Sequence, residues 1–240
     1  MLHAGRAMAS AMTYQKATQP KQPVAKKRVA ILISGRGSNM MSLVEAARAP
    51  DFPAEIAAVI SNRPGAAGLT WAKAQGIMTR CIDHQTFKTR DAFETELDSA
   101  LAAIDPGIIA LAGFMRLMTP GFVARWQDRM INIHPSLLPT FKGLHTHEQA
   151  IAAGVKIAGC TVHFVRAEMD AGPILAQAAV PVLSGDTPAA LGARVLTAEH
   201  RLYPAALRLL ASGRVRVDGE KVAILEDVND STPLFSLRVK

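Results

Sequence analysis

Five consecutive apolar residues, Val29-Ala-Ile-Leu-Ile33, follow Arg28 with no polar alternation. Such a run is expected of a parallel strand covered on both faces. It leads into Ser34-Gly-Arg-Gly-Ser-Asn39, and Met40 to Ala49 then shows helical spacing. Glu55 to Ile60 repeats the strand pattern and closes at Ser61-Asn-Arg-Pro-Gly65. A helix through Trp71 and a short strand at Arg80 to Ile82 follow. Thr89 to Ile104 places Phe93, Leu97, Leu101 and Ile104 on one side of a helix. Pro106 breaks the chain before a buried strand at Ile108 to Leu111, and Thr119-Pro120 reads as a cap with a first-turn proline. Met130 to Ile133 is another short strand. This alternation predicts an α/β fold: an open, mostly parallel twisted sheet with helices on both faces.

The pattern changes after His134. Pro135 and Pro139 mark a loop, and His147 to Ala153 reads as a short helix. Gly159 to Val165 alternates, and Ile174 to Val182 is a second strand run, with the turn-forming Glu168-Met-Asp-Ala-Gly-Pro173 between them. This predicts an antiparallel extension of the sheet. Asp186-Thr-Pro188 caps a long helix, which Pro204 should kink or interrupt. Arg214 to Val217 and Val222 to Leu225, around Asp218-Gly219, predict a terminal hairpin. The expected organisation is a basic, unfolded extension over 1–27, a catalytic domain over 28–215 and a hairpin and tail over 216–240.

Charge alters the picture less than its total suggests. The net charge is +7, but Arg6, Lys16, Lys21, Lys26, Lys27 and Arg28 fall within the first 28 residues, which hold no Asp or Glu. That leaves +1 for residues 29–240, a balance that offers no basic field for nucleic acid. Apolar runs such as Ile108 to Met115 are far shorter than the ~20 residues of a membrane span. Cys81 and Cys160 stand far apart in no CxxC pattern and read as two reduced core thiols of a cytoplasmic protein.

Three features carry candidate chemistry. Gly35 and Gly37 sit in a turn between strand and helix, where backbone amides and a helix N-terminus suit a phosphate, and Ser38 and Asn39 add side-chain donors. The spacing matches neither the dinucleotide fingerprint nor the Walker loop, and a plain tight turn has the same pattern. Asn132-Ile-His-Pro-Ser136 ends a predicted strand, where ligands of open parallel sheets bind. Alternation puts Asn132 and His134 on one side, an amide and an imidazole suited to acyl transfer. Asp170 lies in a turn beside Gly172-Pro173, from which a carboxylate can orient an imidazole and favour its charged form. His134, His145, His147 and His163 are metal-ligand types, but their spacing is not that of a zinc motif, and no metal is expected.

Together these segments resemble a known family. Gly35-Arg-Gly-Ser-Asn39, Ala112-Gly-Phe-Met-Arg-Leu117, Asn132-Ile-His-Pro-Ser-Leu-Leu-Pro139, Gly143-Leu-His-Thr-His147 and Asp170-Ala-Gly-Pro173 are similar, in order, to the glycinamide ribonucleotide formyltransferases. The Asn-Ile-His-Pro-Ser segment marks folate-dependent formyltransferases as a group, and the glycine turn and Gly-Leu-His-Thr-His segment narrow the match. The resemblance implies a Rossmann-like formyltransferase fold. It implies transfer of a formyl group from 10-formyltetrahydrofolate, as co-substrate, to the amine of glycinamide ribonucleotide in purine synthesis. It assigns the ribonucleotide phosphate to Gly37, Ser38 and Asn39, and further contact with that substrate to Glu199. It assigns the folate to Met115, Arg116, Leu117 and Met118, with Arg90 and Asn132. His134 becomes the proton donor, with Asp170 raising its pKa. The activated formyl group needs no Lewis acid. The chain departs from the usual family pattern at Lys142, where proline is familiar, and at Ala171, where glycine is.

The resemblance leaves rivals open. A formyl-folate hydrolase or a transfer-RNA formyltransferase shares the core segments, but each usually carries an extra domain, for which 1–28 and 216–240 are short. A non-catalytic nucleotide-binding protein of the same sheet type would use Gly37 without needing His134 and Asp170. Small-molecule partners are expected, with no nucleic acid or membrane, in a monomer or homodimer.

Overall fold

The computed structural model describes residues 25–225. The expectations for the basic extension up to residue 24 and the tail from residue 226 fall outside the described residues. Strands β1 (Lys27–Ile33), β2 (Ala54–Ser61), β3 (Met78–Cys81), β4 (Ile108–Leu111), β5 (Met130–His134), β6 (Ile157–Phe164) and β7 (Ile174–Pro181) form one sheet in the order β3-β2-β1-β4-β5-β6-β7. The first five are parallel, and β6 and β7 run antiparallel to their neighbours. Helices α1 (Ser38–Ala47), α2 (Ala67–Ala74), α3 (Arg90–Ile104), α4 (Pro120–Arg125), α5 (Thr146–Ala152) and α6 (Pro188–Ala211) complete the domain. A hairpin of β8 (Val215–Asp218) and β9 (Lys221–Ile224) closes the described chain.

The apolar run of β1 explains why the sheet is covered twice. Val29, Ile31 and Ile33 pack in one core with α1 and α6 residues such as Leu43 and Leu207, while Ala30 and Leu32 pack in a second core with Phe93 and Leu97 of α3. The strand order reverses between β1 and β4, so a crevice opens beyond their carboxyl ends, the usual ligand position in such a sheet.

Several expectations need correction. Strand β6 is buried at every residue but its first, not alternately. Ala158 and Cys160 pack with Ala150, Leu191 and Val195, while the Thr161 hydroxyl donates to the Ser136 carbonyl (2.7 Å) and accepts from Leu138 N–H (3.0 Å). Both faces are thus covered. Helix α6 runs unbroken past Pro204. Beside it Tyr203 is fully buried, with its hydroxyl shared between the carbonyls of Leu111 (3.0 Å) and Ile131 (3.2 Å), so packing holds the helix through the missing hydrogen bond. The Asp186-Thr-Pro188 segment caps the helix as expected, through the Thr187 side chain, while Asp186 is held by Arg194 at 2.7 and 3.0 Å. Cys81 is exposed because β3 is an edge strand, whereas Cys160 is buried and its thiol is pushed up to about 12 by that burial.

Candidate active site

The glycine turn follows β1 directly. Gly37 has φ 73°, in the left-handed region that glycine adopts without a steric penalty, and precedes the first residue of α1. Asn39, in the first turn of α1, donates through Nδ2 to Glu199 Oε2 at 2.6 Å. Glu199 lies in the buried stripe of α6 with Val195 and Tyr203, at intervals of four residues. Burial pushes its carboxyl up, against the pull of the Asn39 hydrogen bond. Asn39 Oδ1 is buried with no partner among the described residues.

Strand β5 delivers the next pair. Asn132 is opposite His163 across the antiparallel β5–β6 pair, and its Nδ2 lies 3.2 Å from His163 Nε2. His163 Nδ1 is 3.0 Å from the Phe164 carbonyl, which can only accept, so Nδ1 carries the proton and Nε2 accepts from Asn132. That leaves the second amide hydrogen of Asn132 uncommitted. His134, one side-chain period further on, is 5% exposed. Its Nδ1 is 3.5 Å from Asp170 Oδ2, and its Nε2 is 3.0 Å from the Phe141 carbonyl. Both ring nitrogens therefore face acceptors, an arrangement that suits an imidazolium.

Asp170 is at the hub. It sits at φ 52°, its Oδ2 accepts from Gly143 N–H at 2.9 Å, and its Oδ1 is 3.9 Å from His163 Nε2. Two residues later, a Cβ on Gly172 would lie 1.8 Å from the Phe164 carbonyl oxygen, so glycine is required there. Ala171 escapes this contact, which explains how the turn tolerates alanine at the first of its two small positions.

After β4, residues 113–119 run without regular structure. Arg116, Leu117 and Met118 make no backbone hydrogen bond among the described residues. Met115 and Leu117 are 57% and 54% exposed. The Arg116 guanidinium stacks over Phe93 at 5.1 Å, and its Nε is buried without a partner.

One cavity of about 620 Å³ gathers most of these groups, lined by Asn39, Asn132, His134, Asp170, Glu199 and all of 115–118. Gly37 and Ser38 flank Asn39 but are not on its wall. Arg90 stands apart, exposed at the first residue of α3. The Phe141 carbonyl is the partner that sequence reasoning did not place; His163, weighed in the sequence only as a metal-ligand type, is the acceptor of Asn132 and lies 3.9 Å from Asp170. Among the described residues, no three His, Cys, Asp or Glu side chains group as a metal site, and no helix is long and apolar enough to cross a membrane.

Burial holds His163 and His147 below the ordinary histidine value of 6.5. Between 6.5 and their folded values, the unfolded chain binds more protons. The stability they contribute is therefore full above 6.5 and is lost on acidification through that window, at up to about 1.4 kcal/mol per pH unit for the buried His163 and less for the half-buried His147, which solvent screens. The melting temperature should fall between pH 7.5 and 5.5, and His163→Gln should show a smaller fall. An equal fall in both proteins would contradict the assignment to His163.

Residues 27–207 match the model of the formyl transferase family. The phosphoribosylglycinamide formyltransferase of Escherichia coli is 41% identical over 79% of this chain and 89% of its own length. The trifunctional purine biosynthetic protein adenosine-3 of Bos taurus is 51% identical over 83% of this chain, which spans only 19% of that relative. Among solved structures, glycinamide ribonucleotide transformylase 1 from Symbiobacterium toebii superposes with a TM-score of 0.82 at 45% identity, covering 84% of this chain and 95% of that one. A formyltetrahydrofolate deformylase from Pseudomonas syringae also superposes, with a TM-score of 0.78 at 27% identity, covering 84% and 66%.

Proposed function

Because this chain belongs to the formyl transferase family, we propose that it moves the formyl group of 10-formyltetrahydrofolate to the amine of N1-(5-phospho-D-ribosyl)glycinamide, a step of purine synthesis. The observation that carries this reading is one cavity walled by Asn39 and Glu199, by 115–118, whose backbone is unpaired over 116–118 among the described residues, and by Asn132, His134 and Asp170. A site with polar side chains for a phosphorylated amine, an unpaired backbone strip for a heterocycle and an acid–base group on the same wall fits a two-substrate transfer.

In the proposed reaction, the neutral amine attacks the formyl carbon and negative charge develops on the formyl oxygen. The free amide hydrogen of Asn132 and a protonated His134 stabilise that oxygen. The C–N bond to the folate then breaks as His134 gives its proton to the departing folate nitrogen, and the neutral His134 takes up the proton that leaves the attacking nitrogen. For His134 to do this, one of its two present acceptors, the Phe141 carbonyl, must give way to substrate. Gly37, Ser38 and Asn39 hold the ribonucleotide phosphate in this reading, and Arg90, exposed at the first residue of α3, helps hold the folate.

The structural likeness to a deformylase sets the test. Purified protein should consume 10-formyltetrahydrofolate only when glycinamide ribonucleotide is present. Equal consumption without the ribonucleotide would move the assignment to hydrolysis.

A further inference from the structure

Among the described residues, six buried polar side chains lie outside the cavity wall, and three of them concern the segment after β4: Ser34, Asn62 and Glu94, exposed by 6%, 1% and 2%. Polar groups so deep must be hydrogen-bonded, and the direction of their bonds is informative. All three lead to the same stretch of chain. Ser34 N–H donates to the Gly113 carbonyl at 3.1 Å, and Met115 N–H donates to Ser34 Oγ at 2.8 Å. The Ser34 hydroxyl donates its one hydrogen to Asn62 Oδ1 at 2.5 Å. With that hydrogen placed, Ser34 Oγ meets Met115 N–H as an acceptor. Asn62 is itself fixed through its backbone carbonyl, which accepts from His84 N–H at 3.2 Å and from His84 Nδ1 at 2.7 Å. At the other end of the stretch, Glu94 Oε1 accepts from Thr119 N–H at 2.7 Å, and Oε2 accepts from the Thr119 hydroxyl.

Between these two anchors lie Arg116, Leu117 and Met118, whose backbone groups have no protein partner among the described residues. A stretch with no secondary structure and no internal hydrogen bonds keeps one conformation only if something outside it holds both ends. We propose that Ser34, Asn62 and Glu94 are positioning residues for 113–119, pre-shaping its unpaired backbone edge for the folate. The proposal rests on the reading that 115–118 receive the folate. The three residues touch no reacting atom. They act by lowering the ordering cost of binding, so their effect falls on one substrate's affinity and not on the chemical step.

The test is steady-state kinetics of Ser34→Ala and Glu94→Gln in the full chain, with Leu117→Ala beside them. Ser34→Ala removes the acceptor of Met115 N–H, and Glu94→Gln weakens the opposite anchor. Each should raise KM for 10-formyltetrahydrofolate by about five- to tenfold, the equivalent of one net hydrogen bond. kcat at saturation should change less than about twofold, and KM for the ribonucleotide should stay constant. Asn62→Ala should add little once Ser34 is alanine, because it acts through that hydroxyl. Should Ser34→Ala not fold, Glu94→Gln reads the same effect from the other end. If Leu117→Ala raises the folate KM but both anchor variants leave it unchanged, or raise both KM values together with a lower melting temperature, the residues are merely structural and the proposal falls alone. If Leu117→Ala also leaves the folate KM unchanged, the folate reading of the stretch falls with it.

Discussion

Replacing His134 with alanine should lower turnover by about 10²- to 10⁴-fold, the usual contribution of a general acid. On the cavity wall His134 is held between a carboxylate and a carbonyl, at 3.5 Å and 3.0 Å, and it shares its strand face with Asn132. Truncation removes both the proton delivered to the departing folate nitrogen and one of the two donors to the developing oxyanion. Neither contact contributes much to ground-state binding, so KM for each substrate should move far less than kcat. The check is kcat with both substrates saturating. A loss below about tenfold would remove His134 from the chemical step.

Asp170→Asn should produce the next largest loss, within the same ~10²- to 10⁴-fold span but no larger than that of His134→Ala. The reason lies in the charge. Asp170 Oδ2 accepts from Gly143 N–H at 2.9 Å while lying 3.5 Å from His134 Nδ1. An asparagine that keeps its oxygen toward Gly143 keeps the same oxygen toward His134 and turns its amide toward His163, which lies 3.9 Å from Oδ1. His134 then retains an acceptor, but the charged ring loses its counter-ion. Since Asp170 works through His134, the double variant should be little slower than His134→Ala alone. Losses that multiply would mean that Asp170 acts elsewhere, for instance only in holding the Gly143 loop.

Much of this was legible in the sequence because parallel strands buried on both faces are simple signals. Val29 to Ile33 and Ile108 to Leu111 have no competing pattern, and each ends where the chain turns toward the crevice. The Asn132–His134 pair followed from strand alternation, and the structure sets both on one wall. The unread parts depend on partners distant in sequence. Strand β6 looked half-exposed because nothing local announces the 136–138 segment across its face. Pro204 looked like a break because Tyr203's grip on Leu111 and Ile131 spans 92 and 72 residues. Ser34, Asn62 and Glu94 left a fainter mark, as polar residues at the ends of apolar strands and within the apolar stripe of α3. Arg90 is exposed and off the cavity wall, so its assignment to the folate rests on the resemblance alone.

The central claim is that the formyl group passes to an amine rather than to water. The most direct measurement follows the formyl carbon itself. Wild-type protein is supplied with 10-formyltetrahydrofolate carrying a ¹³C-labelled formyl group, together with glycinamide ribonucleotide, and the label is traced by NMR. The account predicts that the label appears in the formamide of the ribonucleotide, in step with the tetrahydrofolate released. Label recovered as formate, with the ribonucleotide unchanged, would contradict it.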